Sequence, residues 1–170
     1  MYSKNTIINS LISHAIVAYL ANQYAPNSSL YPKDAKKRAV IDRIFQFDQA
    51  TLFQSLVDYI EVPILIEGKG LKDLDPEKEK KVREALKLLD DSLSNQKYVA
   101  GNELTLADLS VLASLTLFDG FDYDYSEFKN ITEWSNRLKS ELPYYDEVNK
   151  EATEMFKQFV ATKLAAAEKK

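Results

Sequence analysis

The chain has 170 residues, a formal net charge of −4, one histidine and no cysteine; the length suits one domain, and the acidic balance argues against a nucleic-acid partner. The absence of cysteine excludes disulfides, thiolate nucleophiles and zinc sites with sulfur ligands, and a single histidine excludes a two-histidine site, so no metal site is predicted. No segment approaches about 20 unbroken apolar residues and no targeting segment is recognisable, so we expect a cytoplasmic protein without a membrane span.

The first two predicted helices are separated by a short loop. Apolar residues recur at three- and four-residue spacing from Thr6 to Tyr24, which predicts a helix with one buried face. Proline and small polar residues in 25–33 predict a linker. A long helix is predicted from Asp34 to about Ile60, where two apolar tracks indicate neighbours on two sides, and Pro63 is expected to kink or end it.

The third predicted helix has a well-defined start. At Asp75-Pro76-Glu77, a capping aspartate, a proline at the first helical position and a first-turn acid coincide. The charged residues that follow predict a solvated face. The opposite face carries an apolar stripe at helical spacing, which consists of Val82, Ala85, Leu86, Leu89 and Leu93.

The strongest local signal is a capping box at Thr105 and Asp108. The threonine hydroxyl can accept a hydrogen bond from the Asp108 amide, and the Asp108 carboxylate can accept one from the Thr105 amide, which explains Asp108 as a structural residue rather than a catalytic one. The helix that follows is apolar on all sides as far as Phe118, which predicts a central position. With two further helices, around Trp134 and from about Val148, the prediction is an all-α bundle of about six helices.

Several motifs jointly resemble the glutathione S-transferase family. The segment from Tyr98 to Asp108 is similar to the capping-box region of the family's C-terminal helical domain. Residues Ser13 to Leu20 resemble the helix that ends its N-terminal domain, and Leu30 to Asp34 resembles its interdomain linker. The segments Phe47 to Phe53 and Leu142 to Tyr145 are similar to those of the insect delta and epsilon classes.

This resemblance implies that the chain has three parts. Residues 1–24 resemble the last helix of the thioredoxin-like domain, 25–33 the linker, and 34–170 the C-terminal helical domain. In the family, the thioredoxin-like domain carries the catalytic serine or tyrosine and most of the glutathione site. About two dozen residues before the linker are too few for that domain. We therefore expect no catalytic residue in this chain and no conjugation by the chain alone.

The resemblance also implies a glutathione site that keeps only part of the family's binding motif. The family's Glu-Ser-Arg motif holds the γ-glutamyl end of glutathione, and the matching residues here are Ile12, Ser13 and His14. Ser13 and His14 are thus the candidates for glutathione binding. The alternatives are a surface serine and a plainly packed histidine. Glutathione is expected as a co-substrate, and no tightly bound cofactor is expected.

A hydrophobic substrate wall is the third implication. Five candidates share one predicted face of the long helix: Phe53, Val57, Ile60, Glu61 and Ile64. Phe118 and Phe159, from later helices, are added to them. Such a wall suits hydrophobic substrates because apolar burial is non-directional. Ordinary core packing is the alternative for each residue, and an exposed helix-end acid is the alternative for Glu61.

The resulting functional hypothesis is a glutathione S-transferase-like protein. In the family, detoxification proceeds by conjugation of glutathione to hydrophobic electrophiles, and this chain is expected to retain the ligand wall without the catalytic domain. The alternative is a non-catalytic carrier of apolar ligands or a protein-interaction module. Hydrophobic small molecules are the expected partners, a homodimer through the long helix is a third hypothesis, and neither nucleic acid nor membrane is expected.

Overall fold

The computed structural model describes residues 13–169, which form six helices and no β-strand. In chain order these are α1 (Ser13–Tyr24), α2 (35–66), α3 (Pro76–Leu93), α4 (Leu106–Gly120), α5 (Lys129–Glu141) and α6 (146–167). The predicted all-α bundle is confirmed. The part of the first predicted helix before Ser13 lies outside the described residues. Within those residues, no helix combines the length and apolar character that crossing a bilayer requires.

The long helix α2 is wound in two ways along its length. An α-helical segment, Ala35–Phe47, passes into a π-helical turn at Asp48–Phe53, and a second π-helical segment covers Val57–Ile66. The helix was predicted to run to about Ile60, and Pro63 to kink or end it. In the structure α2 continues through Pro63 to Ile66, so the predicted end is wrong and Pro63 does not end the helix. A proline ring ordinarily clashes with the carbonyl four residues before it, and the wider π-turn displaces that carbonyl.

Helix α3 follows its sequence pattern closely. The Asp75 carboxylate accepts a hydrogen bond from the Glu77 amide at 2.9 Å, and Pro76 is the first helical residue. The predicted stripe is buried in full, from Val82 to Leu93. Both the cap and the stripe are confirmed, because both depend on interactions within a few residues of the chain.

Helix α4 occupies the centre of the bundle, as its apolar surface predicts. Val111, Leu115 and Phe118 are all completely buried. Helix α5 packs Trp134, which is 1% exposed, and Leu138 into the same core. At the start of α4 the Asp108 carboxylate accepts a hydrogen bond from the Thr105 amide at 2.9 Å, which confirms this half of the capping box, and the Thr105 hydroxyl donates to the same carboxylate at 3.0 Å.

Helix α1 was predicted to bury one face, but its described residues are less buried than that prediction implies. None of the residues from Ser13 to Tyr24 is buried, and Ile16, Tyr19 and Leu20 are 42%, 37% and 46% exposed. Only Val17 and Ala21 among its aliphatic side chains pack against the core. A helical spacing of apolar residues shows that they share a face, but it does not show which neighbour covers that face.

Two glycines offer a matched test of backbone strain. Gly101 has φ +135°, a conformation that side chains disfavour, and no atom would lie within 4 Å of an added Cβ. Gly70 has an ordinary φ of −86°, and its added Cβ would meet Asp73 Oδ2 at 3.5 Å. We expect Gly101→Ala to lower the free energy of unfolding by about 1–3 kcal/mol and Gly70→Ala to change it by less than about 0.5 kcal/mol. Urea unfolding measures both, and equal effects of the two changes would refute the strain argument.

Candidate functional site

Helices α1, α2 and α4 line an open cavity of about 400 Å³. We call it the α1 cavity. Its apolar wall is formed by Val17, Phe53, Leu106, Leu109 and Ala113. Its polar lining residues are Ser13, His14, Asp48, Gln49, Ser110 and Ser114. A largely apolar pocket with a few converging polar groups is the common form of a small-molecule site.

The polar end of this cavity is organised around Asp48, which is only 2% exposed. Ser114 Oγ donates a hydrogen bond to Asp48 Oδ1 at 2.7 Å, and Ser110 Oγ donates one to Oδ2. The two serines are four residues apart on α4 and therefore share one helix face. Their hydroxyls supply the donors that a buried carboxylate needs.

His14 approaches the same carboxylate from α1. Its Nε2 lies 2.7 Å from Ser110 Oγ and 3.5 Å from Asp48 Oδ2. The ring stacks on Phe45, with 4.5 Å between ring centroids and 15° between ring planes. Residues His14, Asp48, Ser110 and Ser114 thus form one cluster, the Asp48 cluster, where α1 meets α2 and α4.

The two predicted glutathione-binding residues both line the α1 cavity. Ser13 is exposed, whereas the His14 side chain is 15% exposed. The structure therefore brings Ser13 and His14 beside the apolar wall residue Phe53. Their role in binding glutathione stays a prediction.

The predicted hydrophobic wall is not one continuous surface. Phe53 lines the α1 cavity, whereas Ile60 and Ile64 line a second cavity of about 410 Å³ between α2, α4 and α6. Phe118 is completely buried in the core, and Phe159 on α6 is 47% exposed. The remaining two members, Val57 and Glu61, are half-buried on α2.

The π-helical geometry of α2 explains why the predicted wall residues line different cavities. The predicted spacing assumed 3.6 residues per turn from Phe53 to Ile64. The segment Val57–Ile66 is π-helical, with hydrogen bonds that reach one residue further along the chain. Residues that would share a face of an α-helix are therefore rotated around the axis and contact different neighbours.

The acidic side chains of the described residues form no metal site. Within residues 13–169, no group of three or more His, Cys, Asp or Glu side chains is placed to hold an ion. The Asp48 carboxylate is instead bound by hydroxyl groups. Glu61 is half-buried, and burial raises the pKa of its carboxyl above the ordinary value.

Several residues of the site were not predicted, among them Asp48, Leu109 and Ser110. A signal for Asp48 exists in the sequence: it stands midway between Ile44 and Leu52, at four-residue spacing, in an otherwise apolar track. Both of these neighbours are buried in the structure. A second signal is the pair of serines at four-residue spacing on a helix that is otherwise almost entirely apolar. An acid within a buried track requires buried partners, and these serines are the partners.

Comparison with known proteins identifies the family. The model of the glutathione S-transferase C-terminal domain matches residues 52–142. The chain is also 35% identical over 163 residues to glutathione S-transferase D6 of Drosophila melanogaster, an alignment that covers 94% of this chain and 74% of that protein. The chain belongs to the glutathione S-transferase family. All of the α4 residues that line the α1 cavity, including Leu109 and Ser110, fall within the matched C-terminal domain.

Solved structures place this glutathione S-transferase chain among insect delta- and epsilon-class neighbours. A delta-class glutathione transferase from Nilaparvata lugens is 42% identical, with a TM-score of 0.83 over 89% of this chain and 69% of that one. An epsilon-class glutathione S-transferase from the housefly, Musca domestica, is 36% identical, with a TM-score of 0.79 over 89% of this chain and 68% of that one. A glutathione transferase homologue from Drosophila mojavensis with bound glutathione is 35% identical, with a TM-score of 0.78 over 89% of this chain and 68% of that one.

Proposed function

We propose that the α1 cavity is the site where this chain binds a hydrophobic electrophile for conjugation to glutathione. The observation that carries the proposal is the apolar wall of Phe53, Leu109 and Ala113 beside the polar Asp48 cluster. The wall matches an apolar substrate, since burial of apolar surface tolerates many shapes. The polar end matches a peptide-like co-substrate, which needs a few fixed donors and acceptors.

Glutathione is proposed to contact this site through Ser13 and His14. Ser13 is exposed, so its hydroxyl can donate a hydrogen bond to, or accept one from, a polar group of glutathione. His14 follows it in the chain, and its Nε2 lies 3.5 Å from the buried carboxylate of Asp48. The chain's lack of cysteine is consistent with this chemistry, because the reacting sulfur belongs to glutathione.

The role of the helical domain in such a reaction is to orient the electrophile. Holding two reactants in a near-attack arrangement supplies a large part of the rate enhancement of a bimolecular reaction. Phe53 on α2 and Leu109 on α4 border the same cavity from different helices. We propose that these side chains set which electrophile is accepted, and that the chain takes part in detoxification in the cytoplasm as a homodimer.

A non-catalytic carrier of apolar ligands is the second candidate function. The observation that favours it is that the described helices by themselves line a largely apolar cavity of about 400 Å³. A carrier requires binding without thiol activation, whereas an enzyme requires both. Binding and conjugation therefore require separate measurements.

A pair of alanine-to-tryptophan changes tests the ligand site. Ala113 and Ala161 are both exposed helix residues, but Ala113 lines the α1 cavity and Ala161 lines the second cavity. We expect Ala113→Trp to weaken binding of the apolar dye Nile red at least about tenfold, since an indole fills the cavity, and Ala161→Trp to leave it nearly unchanged. Fluorescence titration measures both, and the reverse order of effects would refute this location.

Conjugation by the 170-residue polypeptide alone is a separate test. We propose that it does not conjugate glutathione to 1-chloro-2,4-dinitrobenzene, because the described residues form only helices and the family activates the thiol in its thioredoxin-like domain. Absorbance at the wavelength of the conjugate measures the rate against a complete delta-class enzyme. A rate comparable to that enzyme would overturn this part of the proposal and also exclude the carrier as a sufficient description.

A further inference from the structure

The second cavity is a separate space from the α1 cavity. Its volume of about 410 Å³ suits a small molecule, and it shares no lining residue with the α1 cavity. Ile60 and Ile64 on α2, which are 4% and 1% exposed, contribute to its apolar lining. Val160 on α6 is 5% exposed and adds to the same lining. Burial of an apolar ligand body against these side chains favours binding.

Tyr123 lines the second cavity and carries a hydroxyl group that is not used within the bundle. Its oxygen is buried, and no group in residues 13–169 makes a hydrogen bond with it. Burial raises the pKa of the Tyr123 hydroxyl to about 12, so the group keeps its proton at neutral pH. A buried hydroxyl without a partner is unfavourable, and folded proteins ordinarily provide one. The Tyr123 hydroxyl is therefore a free donor for an acceptor atom of a ligand.

The cationic residues that line this cavity are already paired with acids. Arg83 forms ion pairs with Glu79, at 3.3 Å, and with Glu127. Lys157 Nζ lies 2.6 Å from Asp122 Oδ1. An anionic ligand would have to displace one of these acids, and a cationic group would offer the free hydroxyl no acceptor. The lining therefore favours a neutral ligand.

We propose that the second cavity binds a neutral, largely apolar ligand that carries a carbonyl oxygen, and that the Tyr123 hydroxyl donates a hydrogen bond to this oxygen. The α1 cavity is less suited to such a ligand, because the hydroxyls of Ser110 and Ser114 already donate to Asp48. The proposal concerns a cavity other than the one assigned to the proposed function and does not depend on that function.

The location of the ligand is tested with 4-fluorobenzophenone, a neutral ketone whose binding to the full chain is followed by ¹⁹F NMR titration. We expect Ala161→Trp to weaken binding at least about tenfold, since an indole fills the second cavity, and Ala113→Trp to leave it nearly unchanged. This order is the reverse of the one expected for Nile red. No binding of the ketone, or a greater loss in Ala113→Trp, would overturn the proposal.

The role of the hydroxyl is tested by Tyr123→Phe, with Tyr125→Phe as the matched control. Tyr125 does not line this cavity, and its hydroxyl donates to Asp119 Oδ1 at 2.7 Å. We expect Tyr123→Phe to weaken ketone binding about fivefold without lowering the urea midpoint of the free protein, because no internal hydrogen bond is lost. Tyr125→Phe should lower the midpoint and leave ketone binding unchanged. A lowered midpoint in Tyr123→Phe would show that its hydroxyl is not free.

A ligand without the oxygen separates a hydrogen bond from a change in cavity shape. The probe is 4-fluorodiphenylmethane, which has a methylene group where the ketone has its carbonyl. It should bind equally to the wild type and to Tyr123→Phe, because it accepts no hydrogen bond. Unchanged ketone affinity in Tyr123→Phe, or an equal loss of affinity for both probes, would overturn the assigned hydrogen bond.

Discussion

Replacing Asp108 with alanine is expected to lower the free energy of unfolding by about 3–5 kcal/mol. The carboxylate is completely buried and accepts four hydrogen bonds. Oδ2 accepts from the Thr105 amide at 2.9 Å and from its hydroxyl at 3.0 Å, while Oδ1 accepts from the Val99 amide at 2.9 Å and from Trp134 Nε1 at 3.2 Å. Alanine leaves these buried donors without partners, which costs more than the loss of an ordinary helix cap.

The matched control for this change is Asp75→Ala. Asp75 also caps a helix, through one hydrogen bond to the Glu77 amide at 2.9 Å, but it is exposed. Its loss is expected to cost about 1 kcal/mol, because water replaces the lost acceptor. Urea unfolding followed by the fluorescence of Trp134 measures both variants. Similar costs for the two variants would show that Asp108 acts only as a helix cap.

The electrostatics of Asp108 explain why asparagine is an instructive second variant. Burial raises the pKa of this carboxyl, and the four hydrogen bonds act in the opposite direction. Asparagine retains one oxygen but presents an NH₂ group where the other oxygen accepted two hydrogen bonds. Asp108→Asn is therefore expected to lie between the wild type and Asp108→Ala in unfolding free energy.

Replacing Gly120 with valine is expected to lower the unfolding free energy by about 2 kcal/mol through a clash between α4 and α6. A Cβ at this position would lie 2.5 Å from Cδ1 of Phe156, closer than two such carbons can approach. Phe156 is in turn packed edge-on against Phe121, with ring centroids 5.1 Å apart, so a shift of its ring would disturb that contact. Thermal or urea unfolding measures the effect.

A double variant identifies the cause of that loss. When Phe156→Ala removes the ring, the space for a valine side chain at Gly120 becomes available. The cost of Gly120→Val should then fall by at least about 1 kcal/mol, which a double-mutant cycle reports as coupling between neighbours. Strictly additive costs would assign the loss to backbone propensity instead of the α4–α6 contact.

The contacts of Asp108 show which interactions a local sequence pattern predicts and which it does not. The pairing with Thr105 spans three residues, and the capping-box pattern predicts it directly. The contacts of the same carboxylate with Val99 and Trp134 span 9 and 26 residues and were not predicted. These partners depend on how α5 and the 98–101 turn pack on α4. The sequence identified the residue and its local role, but not the size of its contribution.

The functional candidates also differ in whether their prediction depended on adjacent residues or on an assumed helix geometry. Ser13 and His14 come from a motif of adjacent residues, and both line the α1 cavity. The predicted wall residues do not form one surface, because the prediction assumed α-helical spacing through the segment Val57–Ile66, which is π-helical. Ile60 and Ile64 in that segment line another cavity. Periodicity predicts a shared face only when the winding of the helix is known.

The sequence by itself determined the all-α class, the capped start and buried stripe of α3, the capping box of α4 and the family resemblance. Each of these depends on residues within a few positions of one another, where backbone geometry permits few arrangements. The tertiary structure alone decided the Asp48 cluster, because Ser110 is 62 residues from Asp48 and 96 residues from His14 along the chain. Burial of the apolar faces of α2 and α4 brings those polar groups together, and a buried carboxylate then requires them as partners.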